Sequence, residues 1–243
     1  MMKKIFINIL NLLFPGECYF CHKELNASDY AAICLKCLVK ISKHSYKRTC
    51  DFCAHPLNDA GECPACISTG KRDFVFKANK SLSYNEDDFQ KLIYDYKFKK
   101  LQSFSRPISE LCIRRYTEYF KGFDFLVPVP LNKSRKLERE FCQVSRVADE
   151  IGKRLAMPVV YAIKKRDSDL KAQHDKSLDE RRSTVHKDFY FLKKYIPMLR
   201  SKRLLLMDDI FTSGSTLNAC AHIIKEHVHT EIYTFTFARS VLK

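Results

Sequence analysis

From about residue 73 onward, short apolar runs alternate with segments of helical periodicity. Residues 74–84 carry short alternating stretches that predict strand. Asn85, Glu86, Asp87 and Asp88 then put acidic residues where the positive end of a helix favours them. Phe89, Leu92, Ile93 and Tyr96 follow at helical spacing. A second helix fits 107–120, a buried strand 123–129, a helix about 137–155 and a strand 159–163. Residues 165–182 are highly charged and show no core face. Further on, the pattern predicts strands at 185–192 and 203–207, a helix at 216–227 and a strand at 232–238. Alternation of this kind places the segment in the α/β class, a mostly parallel sheet flanked by helices. Ligands of such sheets bind at the carboxyl ends of the strands.

Residues 1–72 have a different texture. Met1 to Phe14, MMKKIFINILNLLF, imitates a secretory leader, but Asn8 and Asn11 interrupt the apolar run and no small-x-small cleavage site follows. Ile5, Ile9, Leu12 and Leu13 share one helix face, and Pro15-Gly16 ends it. We expect a retained amphipathic helix docked on the protein's own surface rather than on a membrane. The chain has no apolar run of transmembrane length. The expected compartment is the cytoplasm, with peripheral contact at the inner membrane as the variant; its reducing thiol pool disfavours disulfides.

Eleven Cys occur, and eight form four Cys-x-x-Cys pairs: Cys18/Cys21, Cys34/Cys37, Cys50/Cys53 and Cys63/Cys66. A two-residue gap lets both thiolates of a pair reach one ion, and two pairs complete a tetrahedral site. Four tandem pairs in a reducing compartment point to two structural Zn2+ ions rather than to redox chemistry. Spacing alone does not decide between sequential and interleaved pairing; we favour sequential. His22, His44 and His55 lie nearby, but eight thiolates leave them no ligand role, so they are expected to face solvent. Cys112, Cys142 and Cys220 sit in apolar helical contexts and read as buried small hydrophobes.

The most informative stretch is 204–216, Leu-Leu-Leu-Met-Asp-Asp-Ile-Phe-Thr-Ser-Gly-Ser-Thr. A buried strand runs into Asp208 and Asp209, then a hydroxyl-rich turn, then a helix. Acids at a strand end can accept hydrogen bonds from a vicinal diol. Thr212, Ser213, Gly214, Ser215 and Thr216 can wrap a phosphate, with Gly214 allowing positive φ or close approach. The helix that follows aims its positive end at the anion. No Gly-Lys-Ser/Thr is present, so this is not a Walker loop.

Composition adds a partner class. With 43 Lys+Arg against 28 Asp+Glu the formal charge is +15, which favours phosphate-rich partners. Two zinc ions bound by eight thiolates would subtract only four charges. At 46% hydrophobic and 12% aromatic residues, the chain can bury a core and is not a disordered basic tail.

The stretch 204–216 resembles the phosphoribosyl pyrophosphate (PRPP) motif of type I phosphoribosyltransferases. With the Cys pairs in front, the whole chain resembles the ComF family (competence protein F, ComFC-like), a zinc ribbon joined to that domain. Tyr96-Lys97-Phe98-Lys99 stands where the family has a Lys-centred FKY segment, and 127–131 reads VPVPL as the family does. Arg139-Glu140-Phe141-Cys142-Gln143 resembles its RGFNQ, with Glu140 in place of Gly and Cys142 in place of Asn. Gln173, Glu180 and Arg181 match its Q…ER stretch. The resemblance implies a double zinc-ribbon domain over 1–72 and a phosphoribosyltransferase-like domain over 73–243. It further implies that Asp208 and Asp209 hold ribose hydroxyls and that 212–216 cradles the 5′-phosphate. Arg135 and Arg139 would face pyrophosphate, 165–182 would form a hood over substrate, and Mg2+ would accompany PRPP. Catalytic residues stay unassigned.

Two functional expectations follow. The favoured one is a cytoplasmic protein of natural transformation that handles incoming single-stranded DNA and carries a PRPP or ribose-5-phosphate site. A helicase-like translocase and the inner-membrane DNA channel are its partners by family resemblance. The alternative is an active phosphoribosyltransferase using PRPP and Mg2+ on an unidentified acceptor. A PRPP-sensing regulator is a weaker third reading.

Overall fold

A computed structural model describes residues 16–26, 29–30, 32–42, 48–68, 74–84, 87–99, 101–131, 142–166 and 188–240. The expected helix at 1–14, His44, Arg135, Arg139, Glu140, Gln173, Glu180, Arg181 and most of the charged 165–182 segment lie outside them. Among the described residues no helix is long and apolar enough to cross a membrane.

The amino-terminal part consists of Cys knuckles and two short helices, α1 (Leu35–Ser42) and α2 (Pro64–Ser68). Isolated antiparallel bridges at Glu17/Glu24 and Thr49/Pro56 close two knuckles. The remainder runs β1 (Asn79–Tyr84), α3 (Asp87–Phe98), α4 (Ser105–Phe120), β2 (Phe125–Pro128), α5 (Gln143–Leu155), β3 (Ile163–Lys165), β4 (Phe189–Phe191), α6 (Ile196–Leu199), β5 (Arg203–Phe211), α7 (Ser215–Lys225) and β6 (Glu231–Arg239). Four strands form a parallel sheet in the order β1-β6-β5-β2. The expected α/β class, preceded by paired Cys knuckles, is what the structure has.

Period-two alternation divides β5 between two cores. Leu205 and Met207 join the cluster made by α3, α4 and α5, with Leu92, Ile108 and Val147 at its centre. Leu204 and Leu206 join the cluster made with α7 and the β3–β4 ribbon, with Cys220 and Ile224. Both faces of the strand are therefore covered, which explains its unbroken apolar run. The two knuckle units ride on opposite faces. Cys18, Ile33 and Leu38 belong to the first cluster, whereas Cys53 belongs to the second.

Three expected elements differ. Residues 159–163 do not make a sheet strand: Val159 forms one parallel bridge to Leu126, and the chain then leaves the sheet. Ile163–Lys165 instead pairs antiparallel with Phe189–Phe191. At this edge of the sheet Leu126 N–H donates to Pro158 O at 3.0 Å and Val160 N–H to Leu126 O at 2.8 Å, and the ladder goes no further. The helix expected from about 137 begins at Gln143, since Cys142 is extended (φ −90°, ψ 111°). Finally, β5 continues past Met207 to Phe211, because β6 supplies a ladder partner for Asp208 (Thr236), Ile210 (Ala238) and Phe211 (Arg239).

Helix α5 buries Val144, Val147, Ala148 and Ile151 and ends at Ala156 in the left-handed region (φ 52°), whose N–H bonds Gly152 O. Gly152 is needed for close approach: a Cβ there would lie 2.5 Å from Val159 Cγ2 and 2.7 Å from Met157 O. Gly152→Ala should therefore destabilise the protein by about 1–3 kcal/mol through overpacking. Urea unfolding of the variant would show this as a lower midpoint; an unchanged midpoint would contradict the packing.

Candidate functional site

The paired acids end up at the carboxyl end of the sheet because β5 carries them there on its ladder. Asp208 Oδ1 accepts the Asp209 backbone N–H at 2.8 Å. Asp209 Oδ2 forms a 2.6 Å ion pair with Lys97 Nζ, both side chains being about four-fifths buried. Burial pushes the Asp208 carboxyl up to about 8, and the Asp209 carboxylate pushes it the same way; Lys97 and Lys165 oppose the shift. A carboxyl titrating there changes charge around neutrality.

Lys97 is placed by its neighbours. Tyr96 is buried and its hydroxyl donates to Gln143 O at 2.8 Å. Gln143, 2% exposed at the start of α5, donates from Nε2 to Lys97 O at 3.2 Å. Thus Tyr96 and Lys97 at the end of α3 meet Gln143 at the start of α5, and this contact directs the Lys97 amine at Asp209. Lys97 was only a landmark in sequence. Its role as the acids' counter-ion depends on a contact across more than a hundred residues that spacing does not reveal.

The turn after β5 has the shape expected of an anion cradle. Gly214 adopts φ +77°, and Ser215 begins α7. Ser213 and Ser215 share a hydroxyl–hydroxyl hydrogen bond of 2.8 Å, and Ser215 N–H donates to Ser213 Oγ at 3.3 Å. Thr212 is exposed, while Ser213, Ser215 and Thr216 are partly so, so solvent reaches the turn. Arg239, not picked out by sequence, holds the turn from below. Its Nη1 donates to Phe211 O at 3.0 Å and Thr212 O at 2.8 Å. Beside Lys97, a cavity of about 230 Å³ is lined by Ser83, Phe89, Ile93, Tyr94, Ile210 and Thr212, among others. It is mostly apolar.

The eight knuckle cysteines fall into two groups, Cys18/Cys21/Cys34/Cys37 and Cys50/Cys53/Cys63/Cys66, each with all Sγ atoms within 4.8 Å of one another. Pairing is therefore sequential. Sulfur separations of 3.7 Å (Cys21–Cys34), 3.9 Å (Cys50–Cys66) and 3.6 Å (Cys53–Cys63, Cys53–Cys66) are close to the ~3.8 Å edge of a tetrahedron with 2.3 Å Zn–S bonds. The donor set fits zinc, and each group would hold one ion with no open position for substrate. The three other cysteines stand apart: Cys112 and Cys220 are buried, and Cys142 is half-buried. His22 is exposed, but His55 is partly buried with Nδ1 2.8 Å from Pro56 O.

Residues 9–67 match the double zinc ribbon domain model. Curated relatives extend the match over the chain. Competence protein F of Haemophilus influenzae is 24% identical over 93% of this chain and 98% of its own length. Competence protein ComFC of Streptococcus pneumoniae is 26% identical over 78% and 87%, and that of Bacillus subtilis 24% identical over 95% and 88%. The chain is thus similar to competence proteins F and ComFC over most of its length. Among solved structures, adenine phosphoribosyltransferase from Leishmania tarentolae aligns with 65% of this chain and 91% of its own at 9% identity and a TM-score of 0.40. Another adenine phosphoribosyltransferase covers 63% and 69% at 16% identity and a TM-score of 0.34.

The geometry of the two sites makes two predictions. Purified protein should contain two zinc ions per chain, and Cys18→Ser with Cys21→Ser should lose one; elemental analysis still finding two would refute the ligand set. For Asp208, the folded state keeps a proton that the unfolded carboxyl releases near pH 4. The contribution of this group is fully present below pH 4 and is lost as pH rises through about 8. Stability should thus fall between pH 6 and 9, and Asp208→Asn should flatten that fall. Urea midpoints at the two pH values test it, and parallel slopes for both proteins would contradict the shift.

Proposed function

We propose that this ComF relative binds a phosphoribosyl ligand at the carboxyl end of its sheet and serves competence by handling single-stranded DNA. The observation that carries the reading is the run from Asp208 and Asp209 through the left-handed Gly214 turn into the start of α7. Carboxylates and phosphate donors stand a few residues apart there, as a sugar phosphate with free hydroxyls requires. Thr212 to Thr216 would take the 5′-phosphate, the two acids the ribose hydroxyls, and Mg2+ would neutralise a pyrophosphate. Arg135 and Arg139 are the candidates to face that pyrophosphate.

The DNA part draws on the relatives' competence designation, the charge surplus and the first ribbon. A broad groove of about 900 Å³ there is lined by Phe20, Lys23, Leu35, Lys36 and Lys40, among others. Glu24 and Asp29 also line it, so the three lysines leave it only slightly basic; lysines among apolar side chains suit a strand whose phosphates and base faces are both presented. A translocase of the helicase type and an uptake channel are the partners this reading implies.

A second reading, phosphoribosyl transfer to an acceptor, is favoured by the cavity beside Lys97 and by the titration of Asp208 near neutrality, where a carboxyl can take and give a proton.

Replacing Asp208 and Asp209 by Ala should weaken PRPP·Mg2+ binding at least about tenfold, since each charge-assisted hydrogen bond is worth ~1.5–3 kcal/mol, with two zincs retained. Calorimetry returning equal affinity would sink the site. Anisotropy of labelled single strands across a salt series should show binding that falls steeply with salt. No binding at low salt, together with PRPP-dependent pyrophosphate release, would favour the transferase reading instead.

A further inference from the structure

The phosphate turn leans on the second zinc knuckle. Phe211, the last residue of β5, meets Phe74 edge-on at 6.0 Å and Phe76 at 6.4 Å. Phe74 and Phe76 stack at 4.6 Å. Phe52, inside the Cys50/Cys53 pair, packs on them at 5.3 Å and 6.2 Å. The Arg239 guanidinium covers Phe211 at 4.9 Å while holding the turn's carbonyls. Cys53, Cys66 and Ala65 complete the walls of a gap of only about 20 Å³ between these side chains.

The contact reaches the turn's left-handed glycine. A Cβ on Gly214 would lie 2.6 Å from Phe211 Cζ and 2.9 Å from Phe74 Cζ, so both rings press against the left-handed glycine. Two hydrogen bonds from backbone N–H groups add to these contacts. Asn79 N–H donates to Asp51 O at 2.9 Å, and Val75 N–H donates to Asn218 Oδ1 in α7 at 2.8 Å. The first knuckle makes no comparable approach among the described residues. Its anchors are Tyr19 to Asp95 and Phe104, on the other face of the sheet.

We infer that zinc at Cys50/Cys53/Cys63/Cys66 and an anionic ligand at 212–216 are thermodynamically coupled through Phe52, Phe74 and Phe211. Without the ion, the knuckle loses the geometry that holds Phe52; Phe74 then loses its backing, and Gly214 its seat. Coupling of this kind is reciprocal, so the ligand must also retain the zinc. Phe52 and Phe74 are positioning residues in this arrangement, touching no ligand.

The claim that the ligand is a phosphoribosyl compound rests on the proposed function; the coupling to the turn does not. Ribose 5-phosphate is the probe, with full-length protein throughout. Phe52→Leu should keep two zincs and bind ribose 5-phosphate about fivefold more weakly. A variant with Cys34→Ser and Cys37→Ser carries only the second ion. It should release that ion to a chromogenic chelator at least threefold more slowly when the probe is bound. Hydrogen exchange over 211–217 should speed up in Cys63→Ser with Cys66→Ser and stay as in the parent when only the first ion is lost. Unchanged exchange at 211–217 on loss of the second ion would overturn the coupling, as would equal effects from losing either ion. Failure of the parent protein to bind ribose 5-phosphate, with exchange still responding to the second ion alone, would refute the ligand and leave the coupling standing.

Discussion

The backbone ladder that β5 makes with β2 on one side and β6 on the other determines where everything else can stand. Four residues of β5, Leu204 to Met207, are fully buried, and the strand carries that burial toward two carboxylates. The ladder does not stop at the acids, since Asp208 and Ile210 remain in register with Thr236 and Ala238. A carboxyl gripped by a backbone that cannot yield pays in solvation, and Asp208 accordingly holds its proton to about pH 8. Flexible loops could relax around such a charge; an interior strand cannot.

Both cores then grow outward from that strand by alternation, one from Leu205 and Met207, the other from Leu204 and Leu206. Each takes up one zinc knuckle at its rim. The ribbons are thus part of the two packing layers rather than an appendage. Cys18 is as deeply buried as Leu92, and Cys53 packs in the same cluster as Phe76.

What could be read from sequence was whatever periodicity and short spacing encode. The helix faces at Phe89/Leu92/Ile93/Tyr96 and the four Cys pairs are local patterns, and the structure has them. The end of β5 was misjudged at Met207 because the apolar run stops there, whereas hydrogen bonding to β6 is indifferent to side-chain polarity. The strand at 159–163 was misjudged because an apolar run does not reveal that it has only an edge to pair with. Lys97 and Arg239 could not be assigned at all: one meets Asp209 and the other Phe211 and Thr212 only once distant segments have folded together. The aromatic seat of Gly214, drawn from residues 52, 74 and 211, was hidden for the same reason.

The order of strands across the sheet has a temporal meaning. The final strand, β6, lies between β1 and β5 rather than at an edge, and Ser81 meets Thr236 across 155 positions. Among the described residues the only strand that pairs with β1 is β6, so β1 waits for residues up to 239 to be made, while the knuckles can close as soon as residues 37 and 66 exist. Metal-stapled units therefore precede a sheet whose assembly is slow by topology. In the interval the unpaired rim of β1 is exposed, ready to pair with another nascent chain.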